Sequence, residues 1–233
     1  MIENKYSCRV SLNKPIIIRL DGKGVTKNKS LNIYSDSIGE FAYSLRNTAK
    51  DMSILYNTLV IACTDEINVI FLDTNEFYNK FDSCKCQKSS SIISQDVSFF
   101  FNNYYNGNRI YFDARTFNVI DSKVLSYLKF RATSAKNVGV TYISKRSFPY
   151  RQRQNKKCAE LEDMIRKHNP SSLYDTEYFN YGEAYFKGNR VELSKIVQTG
   201  NLNLDEYSKK SKKNISSAYC NLSEDELDEF DDI

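Results

Sequence analysis

Histidine is almost missing from this chain of 233 residues, which carries a single one, His168. A Ser/His/Asp triad or a histidine-rich metal centre has nothing to build on, and His168 reads as an exposed residue in the last turn of a helix. Long apolar runs are missing too. Nothing approaches the roughly 20 apolar residues of a membrane helix, and the start, MIENKYSCRV, lacks the apolar segment of a signal peptide. These absences predict a soluble, cytoplasmic protein. The cysteines Cys8, Cys63, Cys84, Cys86, Cys158 and Cys220 are scattered rather than spaced as a disulfide framework, and a reducing compartment leaves them as thiols. Cys84 and Cys86 could hold a metal, but no second Cys or His pair lies near them in the sequence.

What is present suits one compact domain or two small lobes, with an ordinary 41% hydrophobic content. The net charge of +4 is unevenly spread. Arg146, Arg151, Arg153, Lys156 and Lys157 crowd around Phe148 and Tyr150, while Lys209, Lys210, Lys212 and Lys213 form a second cluster ahead of the acidic end SEDELDEFDDI. Bases interleaved with aromatics suit phosphate backbones and unstacked bases, and the acidic end repels them. Solvated helix faces account equally well for either cluster alone.

The apolar periodicity predicts a buried strand over 15–20 and a helix over 35–52 capped by Ser35 or Asp36, with Ile38, Phe41, Ala42 and Leu45 on one face. NTLVIACTDEINVIFLD reads as a hairpin with Thr64, Asp65 and Glu66 at its tip. A helix over 88–104, a strand over 109–112 and a helix over 121–131 follow. The order β, α, β, β, α, β is the split βαβ arrangement: an α+β, ferredoxin-like antiparallel sheet with both helices on one face. Its first and third strands lie side by side. Residues 1–145 are expected to form this sheet domain, 146–199 a smaller C-terminal extension packed on it, and 200–233 a polar, acidic-ended tail.

In that arrangement Asp21 leaves the first strand at the edge where the hairpin presents Asp65 and Glu66. Three clustered carboxylates repel one another and are usually neutralised by divalent cations, with Mg²⁺ and a bound triphosphate suited to such hard oxygen ligands. Gly22 and Gly24 let the backbone approach a phosphate or offer a carbonyl to the metal. On spacing alone, Asp21 and Asp65 read equally well as turn residues.

Six segments in this order, IIIRLDGKG, IACTDEINVIF, KSSSIISQDVSFFFNNYY, IYFDARTF, VLSYLKFR and NYGEAYFKGNRVEL, resemble the tRNA-His guanylyltransferase family and its Thg1-like relatives over about residues 4–195. The resemblance implies a polymerase-like palm that adds nucleotides to an RNA 5′ end in the 3′-to-5′ direction. It implies two Mg²⁺ ions on Asp21 and Asp65, helped by the Gly22 carbonyl and Glu66. Asp21, Asp65 and Glu66 would then carry catalysis, with GTP, ATP or other nucleoside triphosphates as substrates. Lys88 matches the lysine that contacts the triphosphate; Arg19, Arg115 and Lys187 sit in matching motifs, and Lys23 and Gly24 belong to the same first motif. Arg19 is read equally well as a partner for a neighbouring carboxylate. A structured RNA such as tRNA is the implied partner, and a homotetramer the family's habit.

The departures are as informative. After YL the histidine-tRNA enzymes carry W-R-Q-x-D-x-H-I-N-N, where this chain reads YLKFRATSAKNVGV. Arg131 survives there, and Lys136 with Asn137 resembles the RN pair of bacterial and archaeal members. These residues, with Arg151, Arg153, Lys156 and Lys157, are the expected RNA contacts. The family's KPND segment is replaced by NIYSDS, whose lost lysine Lys27 or Lys29 could replace. These losses favour 5′-end repair or extension by template pairing over recognition of the histidine anticodon. The rival readings are a tRNA-His-specific enzyme, a palm-domain nucleotide cyclase and a non-catalytic RNA-binding relative.

Overall fold

The structure is a computed structural model that describes residues 8–25, 39–82, 84–168, 177–202 and 204. The chain divides into two compact units, 1–201 and 202–233, and everything below belongs to the first.

Strand β1 (Ile16–Gly22) opens on three isoleucines whose branched Cβ atoms favour extended backbone, and all three are fully buried. Alternation then gives the strand two faces. Ile16, Ile18 and Leu20 join the main core; Ile17, Arg19 and Asp21 point the other way. Helix α1 (Glu40–Leu55) lays Phe41, Leu45, Ala49 and Met52 on the main core at helical spacing. It starts at Glu40, later than expected, because Gly39 before it is extended (φ −51°, ψ 140°); the anticipated caps Ser35 and Asp36 lie outside the described residues.

Strands β2 (Leu59–Cys63) and β3 (Glu66–Phe71) form the expected hairpin. A short helix the periodicity did not suggest, α2 (Thr74–Phe81), follows it. Its signal was present: Asp73 caps it by accepting from the Asn75 N–H, and Phe77 and Phe81, four apart, are buried. Helix α3 (Cys86–Tyr104) joins α1 on one face of the sheet through Ile93, Val97 and Phe101.

Strand β4 (Phe112–Asn118) begins where the expected strand ended. The reason is Asn102 on α3, whose side chain accepts from the Ile110 N–H at 2.9 Å and donates to the Ile110 carbonyl at 2.7 Å, occupying the groups a ladder would need. The helix expected over 121–131 is a single 3₁₀ turn (Asp121–Lys123) followed by α4 (Val124–Ser147), which crosses the boundary anticipated at 145. Its buried positions include Ala132, Ala135 and Gly139, so its apolar stripe is faint in the sequence.

After α5 (Tyr150–Arg153), α6 (Cys158–His168) packs on α4 through Leu161 and Ile165 against Val140 and Ile143. His168 ends α6, exposed, with its ring 5.3 Å from that of Phe148. Beyond α7 (Glu177–Asn180), strands β5 (Glu183–Phe186) and β6 (Asn189–Val191) join the sheet beside β2, and α8 (Leu193–Thr199) closes the unit. The strand order is β4-β1-β3-β2-β5-β6, all pairs antiparallel. Strands β5 and β6 of the expected C-terminal extension thus belong to the same sheet. Helix α4 covers its second face, where Tyr127 donates to Asn68 at 2.6 Å and packs on Phe117. Among the described residues no helix is long and apolar enough to cross a membrane.

Candidate active site

The ladder register lines up a row of side chains across four strands on the face that α4 covers. Asp21 on β1 stands opposite Glu66 on β3 and Asp113 on β4, and Glu66 stands opposite Cys63 on β2. Directly opposed Cβ atoms lie about 5 Å apart, so like charges there repel. One row inward lie Arg19 and, opposite it, Arg115. Arg19 offsets the repulsion: its Nε is 3.1 Å from one Glu66 carboxylate oxygen and its Nη2 is 3.9 Å from Asp21 Oδ2.

The turn joining β2 to β3 brings in the remaining carboxylate. Thr64 sits at φ +53°, which a β-branched residue adopts only under strain of about 1–3 kcal/mol. The turn is held from two sides. Gly22 N–H donates to the Asp65 carbonyl at 3.1 Å, and the Tyr178 hydroxyl donates to the Thr64 carbonyl at 3.2 Å. Burial pushes the Tyr178 phenol well above its ordinary range, so it remains a donor. The Thr64 hydroxyl in turn donates to Asp65 Oδ1 at 3.1 Å.

Helix α4 supplies a residue that was expected to serve RNA binding. Arg131 donates through Nη2 to Glu66, and the Glu66 side chain, only 9% exposed, is shared between Arg131 and Arg19. Burial lowers the Arg131 guanidinium from its ordinary value; the nearby Arg19 adds to this, while Cys63, Asp21 and Asp65 oppose it. Its Nε is buried with no hydrogen-bond partner among the described residues. Cys63, fully buried beside Glu66, is pushed up to about 11, first by burial, and is an inert thiol at neutral pH.

The other expected residues divide. Lys23 and Gly24 occupy the exposed turn after β1, where Lys23 N–H donates to the Tyr111 carbonyl at 2.8 Å and Gly24 takes φ +76°. Lys27 lies outside the described residues. Arg115 is exposed on the face that carries the carboxylates. Lys88 is not brought to them: Ser89 and Ser90 beside it bond Thr116, which pairs with Ile18, roughly 10 Å along the strand from Asp21 and on the opposite face. Lys187 lies at the other end of the sheet, over the Phe186 ring at 5.0 Å, since Phe186 pairs with Leu59 at the start of β2. Lys136 is paired with Glu162 at 3.0 Å, and Asn137 is exposed nearby. Arg151, Lys156 and Lys157 are exposed; Arg153 donates to the Phe148 carbonyl at 3.0 Å and stacks over Tyr150.

Asp113, Asn68 and Tyr178 were not anticipated. Asn68, a lone polar residue inside the apolar run EINVIF, was the one visible signal.

The donor set can be tested against the expected Mg²⁺. Among the described residues no three Asp, Glu, Cys or His side chains converge on a metal-sized point. Mg²⁺ needs only one or two carboxylates, completing its shell with waters and substrate phosphates. Asp21, half exposed, and Asp65 at the turn meet that requirement with oxygen alone. Glu66, the expected helper, has both carboxylate oxygens engaged by Arg19 and Arg131.

No family model and no curated protein matches the chain. Solved structures do. A bacterial tRNA(His) guanylyltransferase (Thg1)-like protein in complex with ATP aligns over 81% of this chain and 86% of its own, with TM-score 0.68 at 21% identity. This chain has the fold of the tRNA-His guanylyltransferases. A second bacterial Thg1-like structure, in complex with GTP, aligns over 79% of this chain and 81% of its own, with TM-score 0.56 at 19% identity. The tRNA(His) guanylyltransferase of Saccharomyces cerevisiae aligns over 82% and 93%, with TM-score 0.63 at 15% identity. The palm-type α+β sheet expected from the sequence is the sheet these proteins share.

Proposed function

We propose that the protein is a nucleotidyltransferase that adds nucleotides to the 5′ end of tRNA or a similar structured RNA, guided by an opposing template base. The observation that carries this reading is the meeting of Asp21 and Asp65 at one sheet edge, tied by the Gly22–Asp65 backbone bond. The fold shared with nucleotide-bound and tRNA-acting neighbours supports it.

In this reading Asp21 and Asp65, with the Gly22 carbonyl, hold two Mg²⁺ ions. Ions held there would supply Lewis-acid stabilisation of the negative charge that a phosphoryl displacement develops. No histidine base is required. Glu66 keeps Arg19 and Arg131 beside the carboxylates, so these guanidiniums add positive charge where a phosphoryl group gathers negative charge. In the same reading Arg115 and Lys23, both exposed, contact the outer phosphates. The exposed bases Arg151, Lys156 and Lys157, with Arg153, serve the RNA backbone. ATP or GTP is the substrate, and the working assembly is a homo-oligomer.

The test is to incubate the protein with Mg²⁺, ATP, labelled GTP and 5′-truncated tRNAs with and without a templating base opposite the gap. Template-dependent labelling of the RNA, unchanged when anticodons are exchanged, is the expected result. Labelling that follows the histidine anticodon would make the protein a tRNA-His-specific enzyme, and a cyclic nucleotide formed without RNA would make it a cyclase.

A further inference from the structure

A cavity of about 630 Å³ lies between α3 and the segment 107–112, outside the carboxylate row. Its size falls within the roughly 300–1,000 Å³ of sites that take small molecules or one nucleoside. Helix α3 contributes two adjacent stripes. Ser94, Ser98 and Asn102 are spent on the strand: Ser94 donates to the Phe112 carbonyl, the Ser98 hydroxyl accepts from the Phe112 N–H at 3.1 Å, and Asn102 grips Ile110. The second stripe, Gln95, Phe99 and Asn103, is spaced i, i+4, i+8 and exposed. Phe99 is 63% exposed, and across the cavity Tyr111 is 59% exposed. Arg109 adds a cation at the rim.

Two large aromatic faces left in water gain by stacking on a flat ring. Neighbouring amides carry both the donors and the acceptors that a base edge requires, and a guanidinium suits the attached phosphate. Two ladder contacts put the cavity wall next to the strand end that carries Asp21. Phe112 in its wall pairs with Gly22, one residue after Asp21, and the Tyr111 carbonyl accepts from the Lys23 N–H. We infer that this cavity binds an unstacked base of single-stranded RNA adjoining the end that the carboxylate edge extends. The inference rests on the proposed nucleotidyl transfer and adds to it a single-strand subsite on the α3 side of the sheet.

The test compares two RNA hairpins that differ only in a short single-stranded overhang, one carrying 4-thiouridine in that overhang, binding to the full-length protein. Wild type is expected to hold the overhang hairpin about tenfold more tightly than the blunt one, and Phe99→Ala or Tyr111→Ala to abolish the difference while leaving blunt binding intact. Irradiation should join the thiouridine to a peptide containing Phe99 or Tyr111. Equal binding of the two hairpins by wild type, or an overhang preference that survives both substitutions, overturns the subsite while template-dependent labelling still stands. No binding of either hairpin and no labelling overturns both readings. If instead either substitution splits an oligomer in sedimentation, the cavity is a contact between copies and the inference is wrong.

Discussion

Asp21 and Glu66 face each other directly across the β1–β3 ladder, yet Asp21 is 49% exposed at its side chain and Glu66 only 9%. The difference follows from what covers each. Arg131 descends from α4 onto Glu66, and Arg19 reaches across from β1, while Asp21 stays open to the edge. One opposed pair thus holds an open carboxylate suited to a ligand and a closed one that orients two arginines.

From this division, Asp21→Asn and Asp65→Asn should each abolish nucleotide addition by at least about a thousandfold, since several kcal/mol of charge stabilisation is lost. Circular dichroism and the melting temperature should stay near wild type. Turnover within tenfold of wild type in either variant would remove the carboxylates from the chemistry.

Glu66→Gln should act differently. It leaves Arg131 in a buried position without its anion, with Arg19 partly exposed, and should destabilise the fold by about 2 kcal/mol, less than a fully buried pair would cost. Urea unfolding measures this directly. A midpoint unchanged from wild type would show that the guanidiniums find other partners.

Glu162 joins α6 to α4 through Lys136 at 3.0 Å and to Arg166 at 2.9 Å. Burial alone would raise its carboxyl, but the hydrogen bonds and charges of those two bases outweigh it and hold the group below 4.5. A carboxyl lowered in the folded state contributes stability above its ordinary value, and that contribution fades as pH falls through the lowered one. Glu162→Gln should therefore be less stable than wild type at pH 7, and the gap should close as pH drops below 4.5. Melting curves across that range check it; a gap independent of pH would assign the effect to packing.

Replacing Arg151, Arg153, Lys156 and Lys157 by glutamine should weaken RNA binding and flatten its dependence on salt, because fewer counterions are released per complex. Nucleotide addition at saturating RNA should persist. Unchanged affinity and slope would place the RNA backbone elsewhere on the surface.

Much of the palm was legible because its signals are local. Three successive isoleucines before RLDG and the apolar runs flanking CTDE announce buried strands whatever surrounds them, and Phe41 and Leu45 mark their helix by spacing. Strand β4 was misplaced because its start is decided by Asn102, eight residues away on another element, and α4 was cut short because alanines and a glycine line its buried side. Asp113 joined the acidic row only through register, which no linear spacing encodes.

By itself, the sequence determined the split βαβ order and the convergence of Asp21 and Asp65, because strand parity and a two-residue turn follow from chain geometry alone. Only the tertiary structure decided the charges around them. It put Arg131 on Glu66, carried Lys88 and Lys187 away from the edge, and opened a cavity beside Tyr111. Side chains far apart in the chain meet according to how helices pack on a sheet, and that is set by the whole core rather than by any one segment.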